Sequence, residues 1–129
     1  MNLLLDIHVW LRTLTVPERI GAEAFAALSD PANTLYLSAA SSWEIAIKYR
    51  LGKLPLPEPP DSFVPARLIR DGILPLAVEH RHALAVATLP DHHADPFDRL
   101  LVCQAGMDGM HLVSHDKTLS AYQAHIIWA

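Results

Sequence analysis

Short apolar runs alternate along this chain with stretches whose apolar residues recur at helical spacing. Runs over residues 2–5, 35–37, 73–76, 111–113 and 125–128 are too short for helices and predict five strands. Between them, helices are expected from His8 to about Leu14 and from Pro17 to near Ser29, where Asp30-Pro31 stops the second. A third, capped by Ser41 or Ser42, carries Trp43, Ile45, Ala46, Ile47, Tyr49 and Leu51 around most of its circumference and ends at Gly52. Asp61 opens a fourth, to near Gly72, and a fifth spans 79–89 with Leu84 and Val86 as its main apolar members. Asp95 opens the long apolar sixth, which reaches Met107 before Gly109. A short helical turn through Leu119 and Tyr122 follows Asp116. Residues 54–60 are proline-rich and read as an extended connector.

Strands that are apolar throughout, with helices between them, belong to a parallel sheet covered on both faces. The predicted class is therefore α/β, with one domain over residues 1–129. Pro75 puts the third strand at a sheet edge. In such sheets ligands bind beyond the carboxyl ends of the strands, where strand order reverses. Asp6 and Asp116 both follow strand ends, so they are expected on one edge of the sheet.

Composition narrows the function classes. No apolar run approaches the ~18 residues a membrane span needs, and residues 1–11 lack the basic start and cleavage site of a signal peptide. A single cysteine, Cys103, excludes an internal disulfide and is expected as a small core residue. These features suit a reducing cytoplasm. The net charge of −4 argues against a simple DNA-binding module. It is compatible with a nuclease whose acidic pocket is reversed in sign by divalent ions.

The acids carry the candidate chemistry. Asp95 fits an N-cap, Pro96 the first helical position and Asp98 the third, so both acids sit at the positive end of a helix dipole. Glu44 lies in a helix that is apolar on nearly all sides, and glutamate is seldom fully buried unpaired. Each acid also has an ordinary reading: Asp6 and Asp116 as helix caps, Asp98 as a dipole residue, and Glu44 as the partner of Lys48 at i,i+4. Gathered in one place, these carboxylates would repel unless a cation offset them. All-oxygen ligands favour Mg²⁺ or Mn²⁺ over zinc, and such ions activate water for phosphodiester hydrolysis.

Five motifs point the same way. They are Leu4-Leu5-Asp6-Ile7-His8-Val9-Trp10-Leu11, Ser41-Ser42-Trp43-Glu44-Ile45-Ala46-Ile47-Lys48, Leu51-Gly52-Lys53-Leu54, Asp95-Pro96-Phe97-Asp98-Arg99-Leu100-Leu101 and Leu112-Val113-Ser114-His115-Asp116. In this order, over residues 3–128, the chain resembles PIN-domain proteins, and among them the VapC-type toxins of bacterial toxin–antitoxin pairs. The resemblance implies an α/β/α sandwich with five parallel strands ordered 3-2-1-4-5. It also implies a Mg²⁺- or Mn²⁺-dependent endoribonuclease, an antitoxin partner whose C-terminal segment lies in an apolar groove, and a homodimer. The family's acids fall on Asp6, Glu44, Asp98 and Asp116, with Asp95 as a companion acid and Ser114 at a position often held by Ser or Thr. Ile7 stands where relatives usually carry threonine, which removes a hydroxyl that could steady Asp6 or a metal-bound water.

Other residues are weighed alongside. Arg99 and Lys117 adjoin proposed ligands and are candidates for steering phosphate, with solvated charge as an equal reading. His92-His93 match no zinc motif and read as a polar loop. His8 and His115 flank site residues and are expected to be surface or structural. Trp10, Trp43 and Trp128 are expected in the core or an interface, and residues 54–60 with Trp43, Tyr49 and Leu51 are candidates for a partner groove. Two further functions are kept open: a PIN-like fold that binds RNA or antitoxin but cleaves poorly, and a receiver-type signalling domain. A receiver needs an aspartate at the end of its third strand, and none is present there.

Overall fold

Strand β1 (Asn2–Leu5) runs through the centre of the sheet, and its three leucines are at most 1% exposed. A computed structural model describes residues 1–129. Five strands, β1, β2 (Thr34–Ser38), β3 (Leu74–Leu76), β4 (His111–Ser114) and β5 (Ile126–Trp128), form one sheet ordered β3-β2-β1-β4-β5. Every neighbouring pair is parallel. This is the order the resemblance implies, and Pro75 lies on an edge strand as its missing N–H requires.

Side chains of a strand alternate between faces, and β1 divides the core accordingly. Leu3 and Leu5 join a cluster with Val9 and Trp10 of helix α1 (Ile7–Thr15), Ala24 of α2 (Ala22–Ser29), Ile45 of α3 (Ala39–Arg50) and Phe63, Val64 and Leu68 of α4 (Pro60–Asp71). Leu4 joins the opposite cluster, with Leu101, Val102 and Ala105 of α6 (Pro96–Met107) and Leu112 of β4. The small helix α5 (His80–Ala85) packs on α6. The chain winds outward from β1 through β2 to β3, then returns to place β4 on the other side of β1. The crevice between β1 and β4 is therefore the switch point of the sheet. No helix is long and apolar enough to cross a membrane.

Local differences from the sequence reading have identifiable causes. Helix α3 starts at Ala39, ahead of the expected caps, because Ser38 at the strand end accepts the Ala40 N–H at 3.0 Å. Ser41 is then buried within the helix. The same Ser38 hydroxyl donates to Gln104 Oε1 at 2.6 Å, and Gln104 Nε2 donates to the Ala77 carbonyl, so one buried amide ties β2, α6 and the end of β3 together. The expected helix from Pro17 is split, since Gly21 is extended and only a single 3-10 turn (Pro17–Arg19) precedes α2. The expected helix over 79–89 stops at Ala85 and gives way to a 3-10 turn (Val86–Thr88). The carbonyls there turn instead toward Arg99, which donates to Val86 O, Leu89 O and Pro90 O at 3.3, 3.1 and 3.0 Å. Leu84 is accordingly exposed.

Candidate metal centre

Asp6 leaves the end of β1 and caps α1, its Oδ1 accepting the His8 N–H at 2.7 Å. Its Oδ2 accepts the Ser114 hydroxyl at 3.0 Å, and the side chain is 2% exposed. Burial pushes the Asp6 carboxyl up, but the bonds from His8 and Ser114 together outweigh it and hold the group below its ordinary range. His8 is raised in return, chiefly through its bond to Asp6. Ser114 also accepts the Asp116 N–H at 3.1 Å, so a single buried hydroxyl links the ends of β1 and β4. Ile7 belongs to the core, and the steadying of Asp6 that a hydroxyl there would have supplied comes from Ser114.

Glu44 is buried in α3 and meets Lys48 Nζ at 2.7 Å, the i,i+4 pair expected from the spacing. Its charge also acts on both His8 and Asp98, so the pair does not remove it from the cluster. Asp98 lies in the first turn of α6 behind the Asp95 cap, which accepts the Phe97 N–H at 2.9 Å. Burial pushes Asp98 up to about 7, with the charges of Asp6, Asp95 and Glu44 adding to the shift and His93 opposing it. Asp116 caps the 3-10 turn after β4 and accepts both the hydroxyl and the N–H of Thr118, at 2.7 and 3.1 Å. Those bonds and the one from His93 bring it down to about 2.

The structure thus draws Asp6, Glu44 and Asp98 within electrostatic reach of one another and connects Asp116 to Asp6 through Ser114 and to Asp98 through His93. His93 is the residue the sequence reading missed. Its Nε2 lies 2.7 Å from Asp116 and 3.4 Å from Asp98. A polar loop histidine gives no local signal for this, because one partner is 23 positions away. Nitrogen and oxygen atoms of His93, Asp98 and Asp116 lie within 4.8 Å of one another, near enough to surround one ion.

Several neighbours have other duties. Arg99, a candidate for steering phosphate, instead clamps the loop before α6 through the Val86, Leu89, Pro90 and His93 carbonyls and the Tyr122 hydroxyl. Five contacts in fixed directions occupy both terminal nitrogens of its guanidinium. Arg99→Ala is expected to cost about 1–3 kcal/mol by urea denaturation, since several partly buried carbonyls lose a charged donor. Lys117 lies over the Trp128 ring, 4.0 Å from its centroid, and His92 stacks edge-on against Tyr122. His8 and His115 pack edge to face beside Asp6. Trp10 is core, but Trp43 is 63% exposed and stacks on Phe97 rather than lining the groove at residues 54–57. That groove is walled by Leu11, Leu14, Phe63 and Arg67.

The donor set fits a cation. The charges of Asp6, Asp95 and Glu44 all act to raise Asp98, a sign of excess negative charge there, and Asp98 has no basic partner closer than His93. Carboxylate oxygens at the switch point of a parallel sheet, on helix caps, match a hard divalent ion.

The family model described as PIN domain matches residues 3–124. The chain belongs to the PIN domain family. A receiver-type domain is thereby set aside. Among curated PIN relatives, Ribonuclease VapC16 of Mycobacterium tuberculosis is 58% identical over 60 residues, a match that covers 46% of this chain and 43% of that protein. The matched stretch thus spans less than half the length of that relative. Two solved structures share the PIN fold along nearly the whole chain. One is VapBC2 from Rickettsia felis bound to a DNA fragment from its promoter, with TM-score 0.72, 14% identity and coverage of 100% of this chain and 98% of that chain. The other is a toxin–antitoxin complex from Klebsiella pneumoniae, with TM-score 0.63, 13% identity and coverage of 96% and 94%.

Proposed function

We propose that this PIN domain, one unit over residues 1–129, is a divalent-metal-dependent endoribonuclease and the toxin of a toxin–antitoxin pair, working in the cytoplasm. The observation that carries the reading is Asp98: an acid buried among other acids, with its pKa pushed up to about 7. A fold that needed only a helix start would have no reason to crowd charge there. Asp6, Asp98 and Asp116 hold the ion in this reading, with Glu44 close by. Mg²⁺ or Mn²⁺ bound there supplies a Lewis acid that lowers the pKa of a water and offsets charge on the phosphoryl group.

The chain's own residues set the stage for that chemistry. Ser114 and the His8 N–H keep Asp6 ionised and aimed. The helix dipole of α6 favours the ionised form of Asp98 against its burial. Lys48 limits repulsion from Glu44. Thr118 keeps Asp116 ionised well below neutral pH.

Partner binding is supported by exposed apolar surface. Trp43 and Leu51 of the α3 region are 63% and 61% exposed, and the groove over Leu54 and Leu56 is apolar with Arg67 at its side. An antitoxin segment in the groove and a second copy of this chain on the α3 side are the occupants proposed. The Klebsiella pneumoniae neighbour is a toxin–antitoxin complex, which supports an antitoxin as the partner.

Purified protein incubated with an RNA panel tests the reading. Cleavage is expected with Mg²⁺ or Mn²⁺, and none with EDTA or with Asp6→Asn. Tight antitoxin binding with no cleavage in either ion would leave the poorly cleaving binder as the better description.

A further inference from the structure

His93 reaches from the loop before α6 to two of the proposed ligands at once. Its Nε2 is 2.7 Å from Asp116 Oδ2 and 3.4 Å from Asp98 Oδ2. Its other ring nitrogen, Nδ1, accepts the Asp95 backbone N–H at 3.0 Å. A backbone N–H can only donate, so Nδ1 must keep its lone pair free and the neutral ring carries its proton on Nε2. That proton is bonded to Asp116, and the Asp98 carboxylate lies 3.4 Å from the same nitrogen. A nitrogen that holds a proton has no lone pair for a metal.

The ring is also fixed in place. The His93 N–H donates to the Tyr122 hydroxyl at 3.1 Å, its carbonyl accepts from Arg99, and its side chain is only 15% exposed. Backbone anchors on both sides of His93, with Nδ1 on the Asp95 N–H, therefore hold the ring with Nε2–H on the side of the acids.

We propose that His93 is a built-in stand-in for the cation: its Nε2–H binds Asp116 and sets a partial positive charge against Asp98 in the metal-free protein, and it gives way when an ion arrives, without becoming a ligand. This rests on the metal centre of the nuclease reading. Two neighbouring carboxylates repel, and a donor bonded to one and close to the other offsets part of that repulsion. An ion that takes the same oxygens has to displace the hydrogen bond. Removing the imidazole therefore acts in opposite directions on the two states. The metal-free fold loses a tether, and the ion loses a competitor. A true ligand would behave otherwise, since its loss weakens ion binding.

Mn²⁺ titration followed by electron paramagnetic resonance, with thermal unfolding in EDTA, separates these cases in the wild type, His93→Leu and His93→Gln. His93→Leu is expected to bind Mn²⁺ about tenfold more tightly, the equivalent of one charge-assisted hydrogen bond. Its melting temperature in EDTA is expected to fall by about 3–6 °C. His93→Gln keeps an N–H donor and should stay near the wild type in both measurements. Unchanged or weaker Mn²⁺ binding by the leucine variant overturns the proposal. Nitrogen-15 spectra of the wild-type histidines address the same question without a variant. The His93 proton should stay on Nε2 when Mg²⁺ is added, and a switch to Nδ1–H would make His93 a ligand and sink the idea. A wild type that binds no Mn²⁺ at all overturns the metal centre itself, which distinguishes that failure from this one.

Discussion

Asp98→Asn is expected to lower RNA cleavage by about 10³-fold, the scale of losing one group that stabilises developing charge, and to raise the melting temperature of the metal-free protein. Both effects come from one cause. The folded chain holds Asp98 among Asp6, Asp95 and Glu44, with its carboxyl pushed up to about 7 from an ordinary 3.8. Above pH 4 the unfolded chain ionises this group while the folded chain still keeps the proton. The native state then binds more protons than the unfolded one, so stability falls as pH rises. The stability Asp98 contributes is complete below pH 4 and is lost as pH climbs through about 7. Asparagine has no proton to lose and escapes this loss. At pH 8 in EDTA the variant should gain about 1–3 kcal/mol, short of the ~4 kcal/mol that three pKa units represent. At pH 4 the gain should vanish. Urea denaturation at both pH values checks this, and a variant no more stable than the wild type at pH 8 would show that Asp98 is not a strained group.

A second large effect follows for the wild type. An ion held as proposed needs Asp98 as carboxylate, so its proton would leave on binding. With a pKa of about 7, the apparent Mn²⁺ affinity should rise about 30-fold between pH 5.5 and 8 and level off above that. Asp6 and Asp116, both held below their ordinary values, are already ionised across this window and add no slope. Isothermal titration in buffers of different ionisation heat should record close to one proton released per ion at pH 6. A flat profile, or a rise centred near pH 4, would mean that Asp98 takes no part in binding.

These effects show why the acids could be picked out from sequence but their behaviour could not. Asp6, Asp95 and Asp116 all cap helical turns, as their neighbours suggest, and the capping does not compete with a second role. Each cap uses one carboxylate oxygen, Oδ1, while Oδ2 of Asp6 and Asp116 is turned to Ser114 and His93. The ordinary reading and the functional one therefore describe different atoms of the same side chain. Glu44 repeats the pattern, with Lys48 beside it and Asp98 within reach of its charge. Arg99 went the other way. Its position next to a proposed ligand suggested phosphate, but α6 turns its guanidinium onto the carbonyls of the preceding loop.

What the sequence determined alone was everything set by local pattern. Apolar runs such as 3–5 and 112–113 can only be strands buried on both faces, and such strands force a parallel sheet with helices between them. Carboxylates placed just after two of those strands had to fall on one edge. Tertiary structure alone decided what depends on segments meeting at a distance. It chose Ser38 over Ser41 as a cap, because Gln104 arrives there from α6. It ended the fifth helix at Ala85 and turned the carbonyls of Val86 and Leu89 onto Arg99, left Trp43 on the surface, and brought His93 beside Asp98 and Asp116. The division has a physical reason. Secondary structure follows from spacing within a few residues, whereas a hydrogen bond across 23 or 66 positions exists only once the chain has packed.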